Sequence, residues 1–283
     1  MINIDIDREQ VIKHLNHLPS LPEAVSALLG SFSDTEVDLE KIAELIARDQ
    51  ALSARVLRIA NSSFYGLQCR LGSIQDALVV VGFRAVRSMV VAAGINATFR
   101  ADACPGYDPA ASLRHSVAVG IAARALATIL PGHNPELAFT AGILHDIGKL
   151  VLASGFPAEY AKVLSYRREH DIFLVVAERD IIGMDHAEIG GMLAETWQFP
   201  SALREGIAQH HAPAAARGTS LANLVHVADA VVLGLGYCSS PGDVVMPVET
   251  SAWFRIGLDS EKLGRVLPQV AAGIDELCLA LSG

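Results

Sequence analysis

Hydrophobic residues recur along most of the chain at spacings of three and four, the period of an amphipathic α-helix, and strand-like alternation is rare. Typical helix-start residues stand before several of these stretches, since Pro22, Asp38 and Asp49 each precede an apolar stripe. Ser73 and Asp76 have the spacing of a capping box ahead of an apolar run that ends at Val81. The valines in that run would also suit a buried strand, but the cap favours a helix. The pattern therefore predicts an all-α protein.

The helical pattern resumes after an irregular segment at 100–110, which holds two prolines, a glycine and two aspartates. This segment predicts a division into two helical lobes, an N-terminal lobe over 1–105 and a second lobe over 106–283. Residues 236–258 have an irregular pattern, with Val244-Val245 as the one hint of a short strand. The helices predicted after the boundary cover 111–130, 135–152, 156–170, 171–182, 185–197, 200–211, 220–235 and 260–281, the last interrupted at Pro268.

Composition and charge exclude several classes of protein. With 51% hydrophobic and 19% charged residues, the 283-residue chain has ample apolar surface for large cores, which argues against disorder. Its formal net charge of −9 argues against nucleic-acid binding. The polar N-terminus is unlike a signal peptide, and no uncharged apolar run reaches the roughly 20 residues of a membrane span. We therefore expect a soluble, cytoplasmic protein that does not bind a membrane.

Two smaller sets of residues carry no strong functional signal. The cysteines are far apart and form no CxxC pair, which indicates free thiols in a reducing compartment: Cys69, Cys104, Cys238 and Cys278. A local basic cluster interrupts the acidic balance of the chain: Arg55, Arg58, Arg84 and Arg87. We expect these arginines to face solvent or to pair with carboxylates rather than to bind phosphate.

The strongest chemical signal is the stretch AGILHDIGKL at 141–150. It places His145 and Asp146 side by side inside an apolar run, with Lys149 one helical turn further on. A buried charge costs several kcal/mol unless it is neutralised, and a metal cation is one way to neutralise it. Imidazole nitrogen and carboxylate oxygen are donors that such an ion accepts. The pair alone is weak evidence for a metal site, because His-Asp pairs also occur at solvated helix ends, and the case depends on donors elsewhere in the chain.

Other residues of the second lobe carry the same donor types: His115, His186, His210, His211 and Asp229. Each histidine also has an ordinary structural interpretation, as a core imidazole bonded to a carbonyl, an exposed first-turn residue, or a polar helix end. Asp229 lies in the apolar run LVHVADAVVL, where an unpaired carboxylate would be unfavourable. A single metal centre explains the set better than separate roles, because facing helices of a bundle can bring such side chains together. Asp146 could then bridge two ions.

Several phrases of this chain resemble those of a known family: LPSLP (18–22), DQALSARVLRIANSSFYG (49–66), SIQDALVVVGFRAVRSMV (73–90), AGILHDIGKLVL (141–152), HAEIGGMLAETWQFP (186–200), IAQHH (207–211) and LVHVADAVV (224–232). On these phrases the chain is similar to HDOD-domain proteins, relatives of the HD superfamily of metal-dependent phosphohydrolases, over about residues 10–235. The resemblance implies a two-lobed, all-helical bacterial signal-transduction module with an HD-like second lobe. Such modules often stand beside sensor or output domains.

The same resemblance implies a ligand set, which many HDOD proteins lack and this sequence keeps. His115, His145, Asp146 and Asp229 match the single-metal set of the HD pattern. Three histidines match the additional ligands of the two-metal HD-GYP relatives, in which Lys149 matches the lysine after HDxG: His186, His210 and His211. The GYP phrase is absent, because the chain reads APAAARGTS after the histidine pair, which argues against cyclic-dinucleotide phosphodiesterase activity.

Two functions remain open at this stage. In the first, the protein is a regulatory module whose N-terminal phrases recognise a signalling protein or a small phosphorylated ligand, while the metal is structural. Asn61, Ser62 and Ser63 are the candidate contacts, although a helix C-cap and turn is the better explanation of their local structure. We prefer this interpretation, because the ligand set argues for metal binding more strongly than for turnover.

In the second, the protein is a phosphohydrolase in which a metal-activated water attacks a phosphorus centre. Asp146 and Lys149 would then be the catalytic residues, Lys149 by placing positive charge near the phosphoryl group. The alternative for Lys149 is an amine that reaches solvent from a helix end. A ligand set of histidine and aspartate alone favours one or two iron or manganese ions, with zinc and nickel as alternatives.

Overall fold

A computed structural model describes residues 6–32, 37–99, 101, 103–213, 220–239, 244–271 and 273–282. These residues form α-helices and no strand, which confirms the predicted all-α class. The helices are α1 (Arg8–Leu15), α2 (Glu23–Gly30), α3 (Leu39–Ala47), α4 (Gln50–Ala60), α5 (Ile74–Val80), α6 (Phe83–Asn96), α7 (Pro109–Ile129), α8 (Pro135–Leu144), α9 (Ile147–Gly155), α10 (Pro157–His170), α11 (Leu174–Ile182), α12 (His186–Thr196), α13 (Ser201–Ala208), α14 (Leu221–Gly234), α15 (Thr250–Arg255), α16 (Ser260–Ala271) and α17 (Ile274–Ser282).

The helix starts predicted from capping residues are confirmed. Side-chain oxygens of Asp38, Asp49 and Ser73 each accept a hydrogen bond from a backbone N–H in the first turn of α3, α4 and α5. Asp185 caps α12 in the same way, through the N–H of Glu188. These contacts satisfy N–H groups that have no partner within the helix.

The predicted helix over 135–152 is wrong in one respect that matters for the site, because it is two helices. His145 and Asp146 separate α8 from α9, and Asp146 leaves the helical conformation at φ −94° and ψ 13°. Close packing fixes this junction. A Cβ on Gly142 would meet the α-carbon of Gly120 at 2.7 Å, and a Cβ on Gly148 would meet the carbonyl oxygen of His186 at 1.9 Å. Glycine at both positions lets α8 approach α7 and lets α9 approach α12.

Other elements also differ from the prediction. The segment 236–258 contains the short helix α15, and Val244-Val245 is exposed and forms no strand. Pro268 lies inside α16 and does not interrupt it; the chain turns near Gly273, at φ +84°, before α17 begins. Helix α1 was not predicted, although Asp7 and Gln10 form a full capping box at its start. Some positions of interest lie outside the described residues: 100 and 102 in the predicted boundary, 214–219 after the histidine pair, and 240–243.

Helix α7 is the centre of the packing. It lies against α8, α14, α16 and α17, while α12 packs on α9 and α13. Contacts also cross the predicted lobe boundary, since α17 packs on α4 as well as α7 and α1 packs on α12. Buried hydrophobic residues from both halves form one cluster, so the division at residue 105 stays a prediction.

One segment, Pro135–Gly155, is long and apolar enough to cross a membrane by length and composition alone. In this fold 83% of its most apolar window is buried inside the protein. It includes α8 and α9, which pack on α7 and α12 respectively, so its apolar character is that of core helices.

Candidate metal centre

The helical bundle brings all the predicted ligand residues into one buried region. His115 lies on α7, the 145–146 pair joins α8 to α9, His186 opens α12, the 210–211 pair follows α13 and Asp229 lies on α14. All are buried except His211, which is half-buried. Their donor atoms form two groups, within each of which they lie no more than 4.8 Å apart: Asp146, His186, His210 and His211; and His115, His145 and Asp229.

Asp146 lies between the two groups, with one carboxylate oxygen toward each. Its Oδ1 is 3.1 Å from Nε2 of His186 and 3.8 Å from Nε2 of His210. Its Oδ2 is 3.3 Å from Nε2 of His145 and 3.6 Å from Nε2 of His115. Asp229 completes the second group, with Oδ1 3.2 Å from Nε2 of His115. A carboxylate placed in this way can bridge two ions.

Four of the imidazoles are held by a hydrogen bond at the ring nitrogen that faces away from Asp146. The acceptors are the carbonyl oxygens of Tyr237, Gly142 and Ile207 for His115, His145 and His210, each at 2.7 Å, and Oε2 of Glu178 for His186, at 2.6 Å. Because these oxygens can only accept, each Nδ1 must carry the proton. In the neutral ring the Nε2 lone pair is then available to a metal ion, an arrangement common to metal-ligating histidines.

Several potential metal-ligand atoms in this region have no hydrogen-bond partner among the described residues. They are buried: Nε2 of His145, Nε2 of His210, Oδ1 of Asp146 and Oδ1 of Asp229. Leaving such an atom unsatisfied costs about 1–3 kcal/mol, and more for a charged group. The Nε2 atoms of His186 and His211 share a hydrogen bond of 2.9 Å, so both ring nitrogens face the space beside Asp146 and would be available to an ion in place of that bond. The residues present therefore fit divalent metal ions.

Electrostatics in the cluster are strongly coupled. Burial opposes the charged form of His186, but Glu178 and Asp146 outweigh it and raise the pKa of His186 to about 9. Burial, together with the neighbouring charges of His145 and His186, lowers the pKa of His210 to about 3. Burial opposes ionisation of Asp146 as well, yet His145 and Lys149 hold its pKa well below its usual range. A cation that binds Nε2 of His186 must displace the proton held there next to Oδ1 of Asp146, while the Nδ1 proton bonded to Glu178 is kept.

Lys149 points into the cluster rather than toward solvent. Its Nζ donates to Oδ2 of Asp146 at 2.7 Å and to Oγ of Ser239 at 3.3 Å, and the residue is 8% exposed. The alternative of an amine reaching solvent is therefore wrong. A small cavity of about 50 Å³ adjoins this amine and is also lined by Arg167 and Asp229.

Glu178 is a functional residue that the sequence analysis missed. It is completely buried on α11, where one oxygen bonds His186 and the other accepts from the hydroxyl of Tyr160 at 2.9 Å. A signal was available, because Leu174, Glu178 and Ile182 are spaced by four residues on one helix face. An acid in line with apolar residues predicts a buried carboxylate with a specific partner.

The polar residues at the end of α4 make internal contacts. Asn61 donates to the carbonyl oxygens of Leu57 and Leu71 and accepts from the N–H of Leu71. The hydroxyl of Ser62 donates to the carbonyl oxygen of Ile59. These contacts are those of a helix C-cap and turn.

Comparison with known proteins relates the chain to one domain family. A family model of the HDOD domain matches residues 18–213. A solved structure from Shewanella amazonensis, provisionally named a phosphohydrolase, superposes with a TM-score of 0.77 at 28% identity, over 96% of this chain and 97% of that one.

Two further relatives carry no assigned function. An HDOD domain protein of unknown function from Geobacter sulfurreducens superposes with a TM-score of 0.79 at 24% identity, over 97% of this chain and 98% of that one. An uncharacterized protein of Treponema pallidum is 26% identical over 203 residues, which is 71% of this chain and 39% of that protein. The match thus spans about two fifths of the length of that relative.

Proposed function

The chain belongs to the HDOD family, and we propose that it is a signal-transduction module of that family that has kept an HD-type metal site. The observation that carries the proposal is the convergence of imidazole and carboxylate donors on Asp146, with four buried donor atoms lacking partners among the described residues. Three of these atoms lie 3.1–3.3 Å from another group of the cluster. A histidine that carries its proton on Nδ1 has no Nε2 proton to donate to a carboxylate, so a bound cation would satisfy both groups.

The proposed ligands are the residues of the two groups around Asp146, which together would hold one or two ions. No cysteine belongs to either group, so iron or manganese is favoured, with zinc or nickel as alternatives. When bound, divalent ions supply Lewis-acid polarisation of phosphoryl oxygens and lower the pKa of water. This chain's own contribution is to keep Nδ1 protonated on four imidazoles, through three carbonyls and Glu178, so that Nε2 is the binding atom.

The size of the cavity beside the cluster supports a module over a nucleotide hydrolase. Its volume of about 50 Å³ is room for roughly four waters, at about 10–15 Å³ each. Small-molecule sites that enclose a substrate usually measure about 300–1,000 Å³. As the described residues bound this cavity, it has room for a phosphoryl group beside Lys149 but not for a whole nucleotide. We propose that the biological partner is a signalling protein or a small phosphorylated ligand in the cytoplasm.

A metal-dependent phosphohydrolase is the second candidate, and the position of Lys149 favours it. Its ammonium lies 2.7 Å from Asp146 and lines the same small cavity as Asp229. In that role Lys149 would hold positive charge where a phosphoryl group gains negative charge. The Shewanella relative at 28% identity, provisionally named a phosphohydrolase, is consistent with this candidate.

Metal analysis of the purified full chain tests the proposal. We expect one or two transition ions per chain, and their loss when His145→Ala and Asp146→Ala are combined. His133→Ala is the control, because His133 also has a buried ring nitrogen without a partner but belongs to neither donor group. Equal metal content in the combined variant and the wild type would contradict the proposal. Hydrolysis of a generic phosphodiester that is lost in Lys149→Gln while metal is retained would favour the second candidate.

A further inference from the structure

A larger cavity, of about 420 Å³, lies between the two halves of the chain. Helices α4, α6, α7, α9 and α17 all contribute to its walls. Its volume lies within the range of about 300–1,000 Å³ that is usual for small-molecule sites. None of the five histidines of the metal centre lines it, and of the two aspartates only Asp146 does.

Arg55 is the basic group of this cavity. The sequence predicts that Arg55 faces solvent or pairs with a carboxylate, but it is half-buried and its Nε is a buried atom without a hydrogen-bond partner among the described residues. Arg87, from the same basic cluster, also has a buried Nε without a partner among the described residues, but its Nη1 donates to the carbonyl oxygen of Ser31 and its guanidinium lies over the ring of Phe32. Arg55 has no such contact among the described residues and lines a cavity, and a guanidinium suits the planar, two-pronged binding of a phosphate or carboxylate.

The remaining walls combine hydroxyls with apolar side chains. Ser112 is buried and its Oγ accepts from the hydroxyl of Tyr107 at 2.7 Å, which leaves its own proton to donate. Leu113, Ile147 and Leu150 supply apolar surface on α7 and α9. Asp146 is the one acidic residue in the lining, and the ammonium of Lys149 lies 2.7 Å from its carboxylate. The lining therefore suits a ligand with an anionic head and an apolar body.

We propose that this cavity binds a small organic phosphate, with Arg55 on the phosphoryl group and the apolar body against Leu113, Ile147 and Leu150. The ligand would touch α9, the helix that follows Asp146 and carries Lys149. Binding itself does not require a metal ion. The proposal can therefore hold or fail independently of the proposed function.

Titration of the metal-depleted full chain with 1-naphthyl phosphate, followed by calorimetry, tests the site. We expect Arg55→Gln to weaken binding about tenfold or more, the effect of losing a charge-assisted contact. Arg58→Gln is the matched control: Arg58 lies on the same helix, is exposed, and does not line this cavity. Ala110→Trp should abolish binding, since Ala110 is an exposed residue of the lining and a bulky side chain there would fill the cavity.

The titration itself and three comparisons decide the outcome. If 1-naphthol binds as tightly as 1-naphthyl phosphate, the cavity is only apolar and the proposal is overturned. It is also overturned if 1-naphthyl phosphate does not bind, if Arg55→Gln and Arg58→Gln behave alike, or if Asp229→Asn removes binding while Arg55→Gln does not. Circular dichroism of each variant establishes that a lost titration signal reflects the site and not an unfolded chain.

Discussion

Two polar clusters of this molecule look similar in the sequence and differ in the structure. In the Asn61-Ser62-Ser63 turn of the first half, the side chains of Asn61 and Ser62 bond nearby backbone groups, and Asn61 alone makes three hydrogen bonds. The cluster around Asp146 leaves four buried donor atoms without partners among the described residues. Both clusters interrupt apolar helices, but only the cluster around Asp146 has buried polar atoms that remain available to bind a ligand. Unsatisfied buried atoms, more than polar composition, distinguish a site from a turn.

The largest effect should come from Asp146→Asn. Each oxygen of Asp146 faces one of the two donor groups, so removing the charge weakens both groups at once. We expect metal affinity to fall by more than about 100-fold, the upper range for removing a supporting residue near a metal. Competition with a fluorescent chelator measures this loss.

Asp229→Asn provides the comparison within the cluster. Its carboxylate contacts His115 and belongs only to the group with His115 and His145. Where the wild type holds two ions, this variant should retain one, as counted by metal analysis. Full occupancy in both variants would contradict the two-group description of the centre.

Glu178→Gln should have the next largest effect. Glu178 fixes the orientation of His186 and also caps its backbone N–H at 2.9 Å, without being a ligand. Glutamine keeps the shape but removes the charge that favours an Nδ1 proton. We expect a loss of about 10–100-fold in metal affinity. Tyr160→Phe is the graded control, because it removes only the hydrogen bond to the far oxygen of Glu178 and should cost less.

The sequence identified the candidate metal ligands, but it did not identify the packing that positions them. Asp229 and the 145–146 pair could be recognised because a polar residue in an apolar run needs a partner. The break between α8 and α9 could not be predicted, since the apolar helical pattern continues through it. The need for glycine at 148, where a Cβ would meet the carbonyl oxygen of His186, also arises only once the helices pack. Arg55 was misjudged for a similar reason, because an arginine at that position borders solvent or a cavity depending on which helices pack beside it.

Asn61→Ala tests whether the Asn61-Ser62-Ser63 turn has a purely structural role. It removes the side chain that ties the end of α4 to Leu71, and it leaves backbone groups of Leu71 without that partner. We expect the free energy of unfolding to fall by about 1–3 kcal/mol, with no change in metal content. Chemical denaturation and metal analysis on the same preparation separate the two quantities. Metal loss at unchanged stability would show that the turn is not the purely structural feature described here.

We expect the smallest effect from Lys149→Met. This substitution should raise metal affinity, whereas the other substitutions in the cluster should lower it. The ammonium of Lys149 contacts Oδ2 of Asp146, where it offsets part of the negative charge that attracts a cation. Methionine has a similar length and no charge, so the carboxylate becomes more available and a nearby repulsion is removed. We expect metal affinity to rise by about 1 kcal/mol or less, given the screening inside a protein.

The same chelator competition measures this rise, with Lys162→Met on α10 as the control for loss of a lysine outside the cluster. A fall in metal affinity would contradict this prediction. It would mean that Lys149 holds the carboxylate of Asp146 in the position that binds metal.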